Sequence, residues 1–323
     1  MVEIETVLIL GAGASKDFGF PIGKQLVRKI CRLLTENKYW DIFYVTAGQY
    51  STEMVIGFRN DLKEADPLSI DAWLEHNPKY INVGRVAIAM ALLERESNSN
   101  LRPENNWYQL LLHRLDSPFD EFQNNKLSII TFNYDRSLEQ YLFGTFRYTH
   151  AEKGKEDCKK KLNELRILHV YGSLGRLEWQ FDDPKHPLPH VAYGAELQPI
   201  HIFSAGESIK IIPEKIPALT QEFQEARELI SRAKALYFLG FGYNKTNMER
   251  LGLDILRKPN KIMGTGYGLG YQEIRELERL NIKSFGRSYA LLDEPVYKFL
   301  HKYVDFNENS LPDVLKPQDI FWH

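Results

Sequence analysis

Val7-Leu8-Ile9-Leu10 running into Gly11-Ala12-Gly13-Ala14-Ser15 decides how the rest of the chain is read. Four consecutive aliphatics bounded by glycine are too short for a helix and read as a strand buried on both faces of a parallel sheet. Two glycines one residue apart permit positive φ and close approach of backbone to a ligand. The stretch from Lys24 to Leu34, with Leu26, Ile30 and Leu33 on one stripe, then reads as a helix. Such a turn aims helix N-terminal amides at an anion, usually a phosphate. The fingerprint G-x-G-x-x-G is incomplete here, because Lys16 holds its sixth place and the next glycine is Gly19. A tight strand-to-helix turn without any ligand competes with the phosphate reading on this motif alone.

At 323 residues the chain can bury one elaborated α/β core or two ordinary ones. Its 41 basic and 43 acidic residues leave a net charge of −2, which provides no global basic field for nucleic acid or an anionic membrane. A small or neutral partner is expected. Cys31 and Cys158 are too few for a disulfide framework or a four-cysteine zinc site, so no metal is expected. No signal peptide or long apolar span opens the chain, and the expected location is cytoplasmic and reduced.

From 35 to 123 strand-like runs almost vanish, while Ile70, Trp73 and Leu74, then Val83 to Leu93, then Trp107, Leu110 and Leu111 mark helices. This stretch reads as a helical insertion or cap, with Ser69 as one N-cap. Residues 150–165, rich in lysine, and 176–216, rich in proline, read as irregular insertions. His186, His190 and His201 match no zinc spacing and read as loop residues. Phe223, Ala226 and Ile230 mark a further amphipathic helix, and 285–323 reads as a docking segment with one helix through Leu291, Val296, Phe299 and Leu300.

Polar residues gather at the ends of the other apolar runs. Leu127 to Thr131 leads into Phe132-Asn133-Tyr134-Asp135, and in open parallel sheets that edge is where ligands bind. Asp135 either caps the next helix or joins a site. His169, after Ile167-Leu168, is either a satisfied core histidine or a general base of near-neutral pKa. Ala235 to Leu239 ends in Gly240-Phe241-Gly242, and Lys261-Ile262-Met263 ends in Gly264-Thr265-Gly266-Tyr267. Three glycine-rich exits in one sheet would surround one nucleotide.

Together these segments resemble the sirtuin (SIR2) family, whose hallmarks are a Gly-Ala-Gly-x-Ser turn, a Thr-Gln-Asn-Ile-Asp strand end, a His-Gly segment and a glycine-rich nucleotide loop. Here they stand as Gly11 to Ser15, Thr131-Phe132-Asn133-Tyr134-Asp135, His169 to Ser173 and Gly240-Phe241-Gly242, in the same order. Phe18-Gly19-Phe20-Pro21 is similar to the family's loop over the nicotinamide end. The resemblance spans roughly residues 5 to 285. It implies a single domain with a Rossmann-like parallel sheet. The zinc module cannot be built from two separate cysteines, and Val170 and Tyr171 intervene between His169 and Gly172. Those departures resemble the zinc-less NAD hydrolases that act as effectors of bacterial antiphage defence.

The resemblance implies that NAD is the substrate, split to nicotinamide and ADP-ribose through an oxocarbenium-like transition state. It assigns Asn133 to the ribose hydroxyls and the attacking water, and His169 to the proton. Gly11, Ala12, Gly13, Ala14 and Ser15 would hold the pyrophosphate, Phe20 lies in the loop over the nicotinamide end, Thr131 counts among the NAD-binding residues, and Asp135, also among them, fixes the local turn. Gly240, Phe241 and Gly242 would meet the adenosine ribose, and Gly264 and Tyr267 the adenine. An activating partner from the same operon, a signal, or self-assembly into an oligomer is also implied. A zinc-less protein deacylase and a non-catalytic nucleotide sensor are the alternatives.

Overall fold

A computed structural model describes residues 1–182, 184–185, 188–211, 220–253, 261–270, 272–275, 277 and 289–306. The sheet strands are β1 (Thr6–Leu10), β2 (Leu127–Thr131), β3 (Arg166–His169), β4 (Ala235–Leu239), β5 (Lys261–Thr265) and β6 (Tyr289–Leu292). They lie in the order β3-β2-β1-β4-β5-β6 and every pairing is parallel. The fold is therefore α/β with a Rossmann-like sheet whose strand order reverses at β1. Leu10 sits beside Thr131 on one side and Leu239 on the other, so the three strand ends open on one edge.

Every residue of β1 and β4 is buried, as expected of strands covered on both faces. Alternation along the strand sends Leu8 and Leu10 into one core and Val7 and Ile9 into the other. Helix α1 (Lys24–Leu33) packs Leu26, Val27, Ile30 and Leu33 into the first core. The stretch 35–123 carries α2 (Asn37–Thr46), α3 (Thr52–Ala65), α4 (Ile70–His76), α5 (Ile81–Leu93) and α6 (Trp107–Arg114). From Val86 to Leu93 every residue of α5 is buried, which makes it the axle of this helical body. Ser69 caps α4 by accepting a hydrogen bond from the Ala72 amide at 3.4 Å.

Further along come α7 (Ser137–Thr149), α8 (Lys155–Asn163), α9 (Pro199–Ser208), α10 (Gln221–Arg232), α11 (Lys245–Leu251) and α12 (Val296–Tyr303). Two of these correct the expectation of irregular chain. In 150–165, Cys158 and Leu162 are buried one turn apart, and acids in the first turn and lysines in the last complement the dipole of α8. In 176–216, Pro199 occupies the first turn of α9, where its missing N–H costs nothing, and Ile202 and Ala205 are buried. The segment 285–323 also differs: Leu291 belongs to β6, and only Val296, Phe299 and Leu300 belong to a helix. His186 and residues 307–323 lie outside the described residues.

The glycines at the strand ends fit a packing requirement. The Gly13 amide donates to the Gly240 carbonyl at 2.9 Å, and a Cβ on Gly11 would lie 2.6 Å from that same oxygen. Gly240 has φ +57 and faces Gly13 and the Ala14 amide with no room for a side chain. Gly242, by contrast, has nothing within 4 Å of a Cβ. Gly240→Ala should therefore lower stability by about 2 kcal/mol or more, through overlap and a strained φ, while Gly242→Ala leaves it unchanged. Thermal unfolding of the two variants checks this. Equal melting temperatures would mean that the two strand exits do not press on each other.

Candidate functional site

After β1 the chain makes a tight 3-10 turn, Ala12–Phe18, whose position is fixed from three directions. Gly13 and Ala14 direct their amides at the carbonyls of Gly240 and Gly11, both at 2.9 Å. Trp107, buried in α6, donates its indole N–H to the Ala14 carbonyl at 2.8 Å. Two of the amides expected to cradle a pyrophosphate thus have backbone partners, and the turn is a packing device before it is an anion cradle.

The exit of β2 is built on that turn. The Asn133 side-chain amide donates to the Gly11 carbonyl at 2.9 Å and to Ser15 Oγ at 3.0 Å, and its backbone amide donates to Thr131 Oγ1 at 3.0 Å. Both side-chain N–H groups are engaged, so Oδ1 is the acceptor the residue offers. Asp135, 8% exposed, accepts from the Ser137 amide at 3.2 Å and from the Ser137 hydroxyl, which also meets Tyr108 Oη at 2.7 Å. Burial pushes the Asp135 carboxyl above the usual range, against the pull of its hydrogen bonds from Ser137 and Ser15.

A cleft of about 510 Å3 opens here, lined by Ala12, Ser15, Phe20, Asn133, Tyr134 and Asp135. Asp71, at the start of α4, joins the lining and takes a 2.6 Å hydrogen bond from Tyr134 Oη. Its carboxyl is raised by burial, with the Tyr134 bond opposing. Ser69 read only as an N-cap leaves this residue unnoticed. The acid in the first turn of α4 was visible in the sequence, but nothing there said that the turn would meet β2.

His169, at the end of β3, forms no part of that lining. Its Nδ1 lies 2.8 Å from the Asn133 carbonyl and its Nε2 lies 2.6 Å from Glu139 Oε1. It faces a neighbouring cavity of about 610 Å3 whose other walls include Arg166, Arg176, Lys210 and Glu222. Burial alone would lower the His169 pKa, but the Glu139 charge and hydrogen bond, helped by the Asn133 carbonyl, carry the net shift upward. Both ring nitrogens are thus engaged, and His169 ties β3 to α7 and to Asn133. Glu139, a buried acid in the first turn of α7, is a second residue that the sequence reading passes over.

The remaining predicted residues do not converge on the cleft. Phe241 packs in the second core, with its ring 4.9 Å from that of Phe132. Gly264 is paired inside β5, because the strand runs on to Thr265, and its missing Cβ makes room for the Tyr243 hydroxyl. Tyr267 is 61% exposed. Among the described residues no group of three or more His, Cys, Asp or Glu side chains is placed to hold a metal ion. No helix among them is long and apolar enough to cross a membrane. In comparisons with known proteins, no family model and no curated protein matches the chain.

The raised His169 pKa fixes the sign of a pH effect. A histidine charged more readily in the folded chain stabilises it below the ordinary value of 6.5, and that contribution fades as pH rises through the folded value. Glu139→Gln should therefore cost most stability at mildly acidic pH and progressively less above neutrality. Its His169 ring should titrate lower than in the parent chain. Melting curves across pH and the imidazole proton shifts read both. An unchanged titration in the variant would remove the ion pair as the cause.

Proposed function

We propose that the protein is a sirtuin-like NAD hydrolase that cleaves NAD to nicotinamide and ADP-ribose. One observation carries this reading. The cleft at the carboxyl ends of β1 and β2 brings Ala12, Ser15 and Phe20 together with Asn133 and Asp135, where an open parallel sheet takes its ligand. The same residues carry the family resemblance in the sequence.

In the reaction the bond between C1′ and the pyridinium nitrogen breaks, and its electron pair neutralises the nicotinamide ring. Water oxygen then bonds to C1′ and gives up a proton. Asn133 Oδ1 accepts from a ribose hydroxyl or the attacking water, held in place because the amide nitrogen is fastened to Gly11 and Ser15. Asp135 faces the positive charge that develops on the sugar and takes the proton, a role its raised pKa suits. No lysine or arginine lines the cleft among the described residues, which favours a cationic transition state. His169 positions Asn133 through its carbonyl.

As an effector of antiphage defence, such an enzyme must be restrained in a resting cell. The isolated chain should therefore bind NAD and cleave it slowly, with a partner protein, a signal or self-assembly raising the rate.

Asn133→Ala and Asp135→Asn should each reduce NAD cleavage by about two orders of magnitude while the fold is kept. Nicotinamide release, measured with and without an acetylated peptide and with and without the neighbouring operon product, tests this. Turnover that needs the peptide would replace the hydrolase with a deacylase, and binding without turnover in every combination would replace it with a sensor.

A further inference from the structure

A third concavity, a groove of about 1010 Å3, lies against the Gly19-Phe20-Pro21 segment and shares Phe20 and Pro21 with the cleft. Its charged walls are Lys16, Arg28, Lys29, Arg32 and Arg95, and no acidic side chain lines it among the described residues. These cations come from three separate pieces of chain: the turn after β1, helix α1, and the residues after α5. In a protein of net charge −2, such convergence is a local feature and not a reflection of composition.

Helix stability does not account for it. Arg28, Lys29 and Arg32 fall on one face of α1, and Arg28 and Arg32, four apart, repel each other. The acids that reach these cations stand outside the lining. Glu94 meets Lys29 at 2.7 Å and Arg95 at 3.9 Å, Glu36 meets Arg32 at 3.6 Å, and Arg28 acts on Asp66, which Lys24 holds more strongly.

We infer that this groove is a binding site for a small polyphosphate anion. Guanidinium forks suit phosphate oxygens in pairs, and a concavity with several of them suits adjacent phosphates. A nucleic acid is disfavoured because the one aromatic residue of the groove, Phe20, is 4% exposed and offers no stacking platform. The site stands independently of the NAD reading.

Arg95 gives the groove a route to the cleft. Its Nε donates to the Gly19 carbonyl at 2.9 Å, where Gly19 holds φ +85 at the start of the shared wall. An anion that draws the Arg95 guanidinium into the groove weakens this hold on Gly19, and the wall made by Phe20 and Pro21 loosens.

The test uses the full chain with inorganic tripolyphosphate and adenosine triphosphate as separate arms, followed by calorimetry at low and physiological salt. Hydrogen exchange of residues 16–23 is read with and without each probe. Tripolyphosphate should bind, the double variant Arg28→Gln and Arg32→Gln should bind it roughly tenfold more weakly, and exchange in 16–23 should rise on binding. Stronger binding of adenosine triphosphate, lost in the same variant, would identify the source as a nucleotide. If the double variant fails to fold, Lys16→Gln, exposed on the turn, supplies the same comparison. Absence of tripolyphosphate binding, equal binding by a folded variant, or displacement of the probe by duplex DNA or polyglutamate at lower concentration would each overturn the proposal.

Discussion

The contact of backbone on backbone between the ends of β1 and β4 is the constraint on which the site depends. Gly13 approaches Gly240 so closely that a Cβ on Gly13 would lie 2.8 Å from the Gly240 Cα. Because both partners are main chain, neither can yield as a side chain would, and the turn after β1 has one place to sit. That place determines the next. The Gly11 carbonyl and Ser15 hydroxyl are where Asn133 fastens its amide, so the exit of β2 takes its position from the exit of β1. The Asn133 carbonyl in turn receives His169 at the end of β3. Three adjacent strand ends are thus locked in series from a single close approach.

Legibility in the sequence followed the physics of each signal. The aliphatic runs of β1 and β4, and of β2 apart from Ser128, were readable because burial on both faces demands them. β6 was not, since Tyr289-Ala290-Leu291-Leu292 is short and at a sheet edge, where the pattern resembles one turn of helix. Glycine was the ambiguous letter. It serves close approach to a ligand and close approach to backbone equally, so Gly11, Gly13 and Gly240 announced a tight place without saying what fills it. Gly264 announced the same thing from inside a strand, for the sake of a tyrosine hydroxyl.

Charge was less legible still. His169 stood in the sequence at a strand end, yet the acid that pulls its pKa upward against burial is Glu139, 30 residues earlier and on a helix. Asp71 and Asp135 are 64 positions apart in the chain and line one cleft. A near-neutral total hid a separation of sign: carboxyls line the cleft, and cations line the groove across the Phe20-Pro21 wall. Composition sums over the whole surface, whereas a ligand meets only the charges within about a Debye length.

The three residues Asp135, Arg136 and Ser137 show where the site can and cannot move. Asp135 faces the cleft, Ser137 meets Tyr108 of the helical body, and Arg136, 1% exposed, forms a two-pronged pair with Glu96 at 3.0 and 2.6 Å. The same guanidinium reaches the carbonyls of Val191 and Ala192, while the Gly194 amide donates to Glu96. Breaking one half of a buried pair of this kind leaves an uncompensated charge at a cost of about 3–5 kcal/mol. The β2 exit is therefore nailed to the helical body and to the 191–194 loop at once, and it is a poor candidate for motion. On the opposite side of the cleft the wall is Phe20 and Pro21, carried on Gly19 and Gly23, both at positive φ, and held to the helical body through Arg95. A rigid floor facing a wall hung between two glycines confines any opening of the site to the wall.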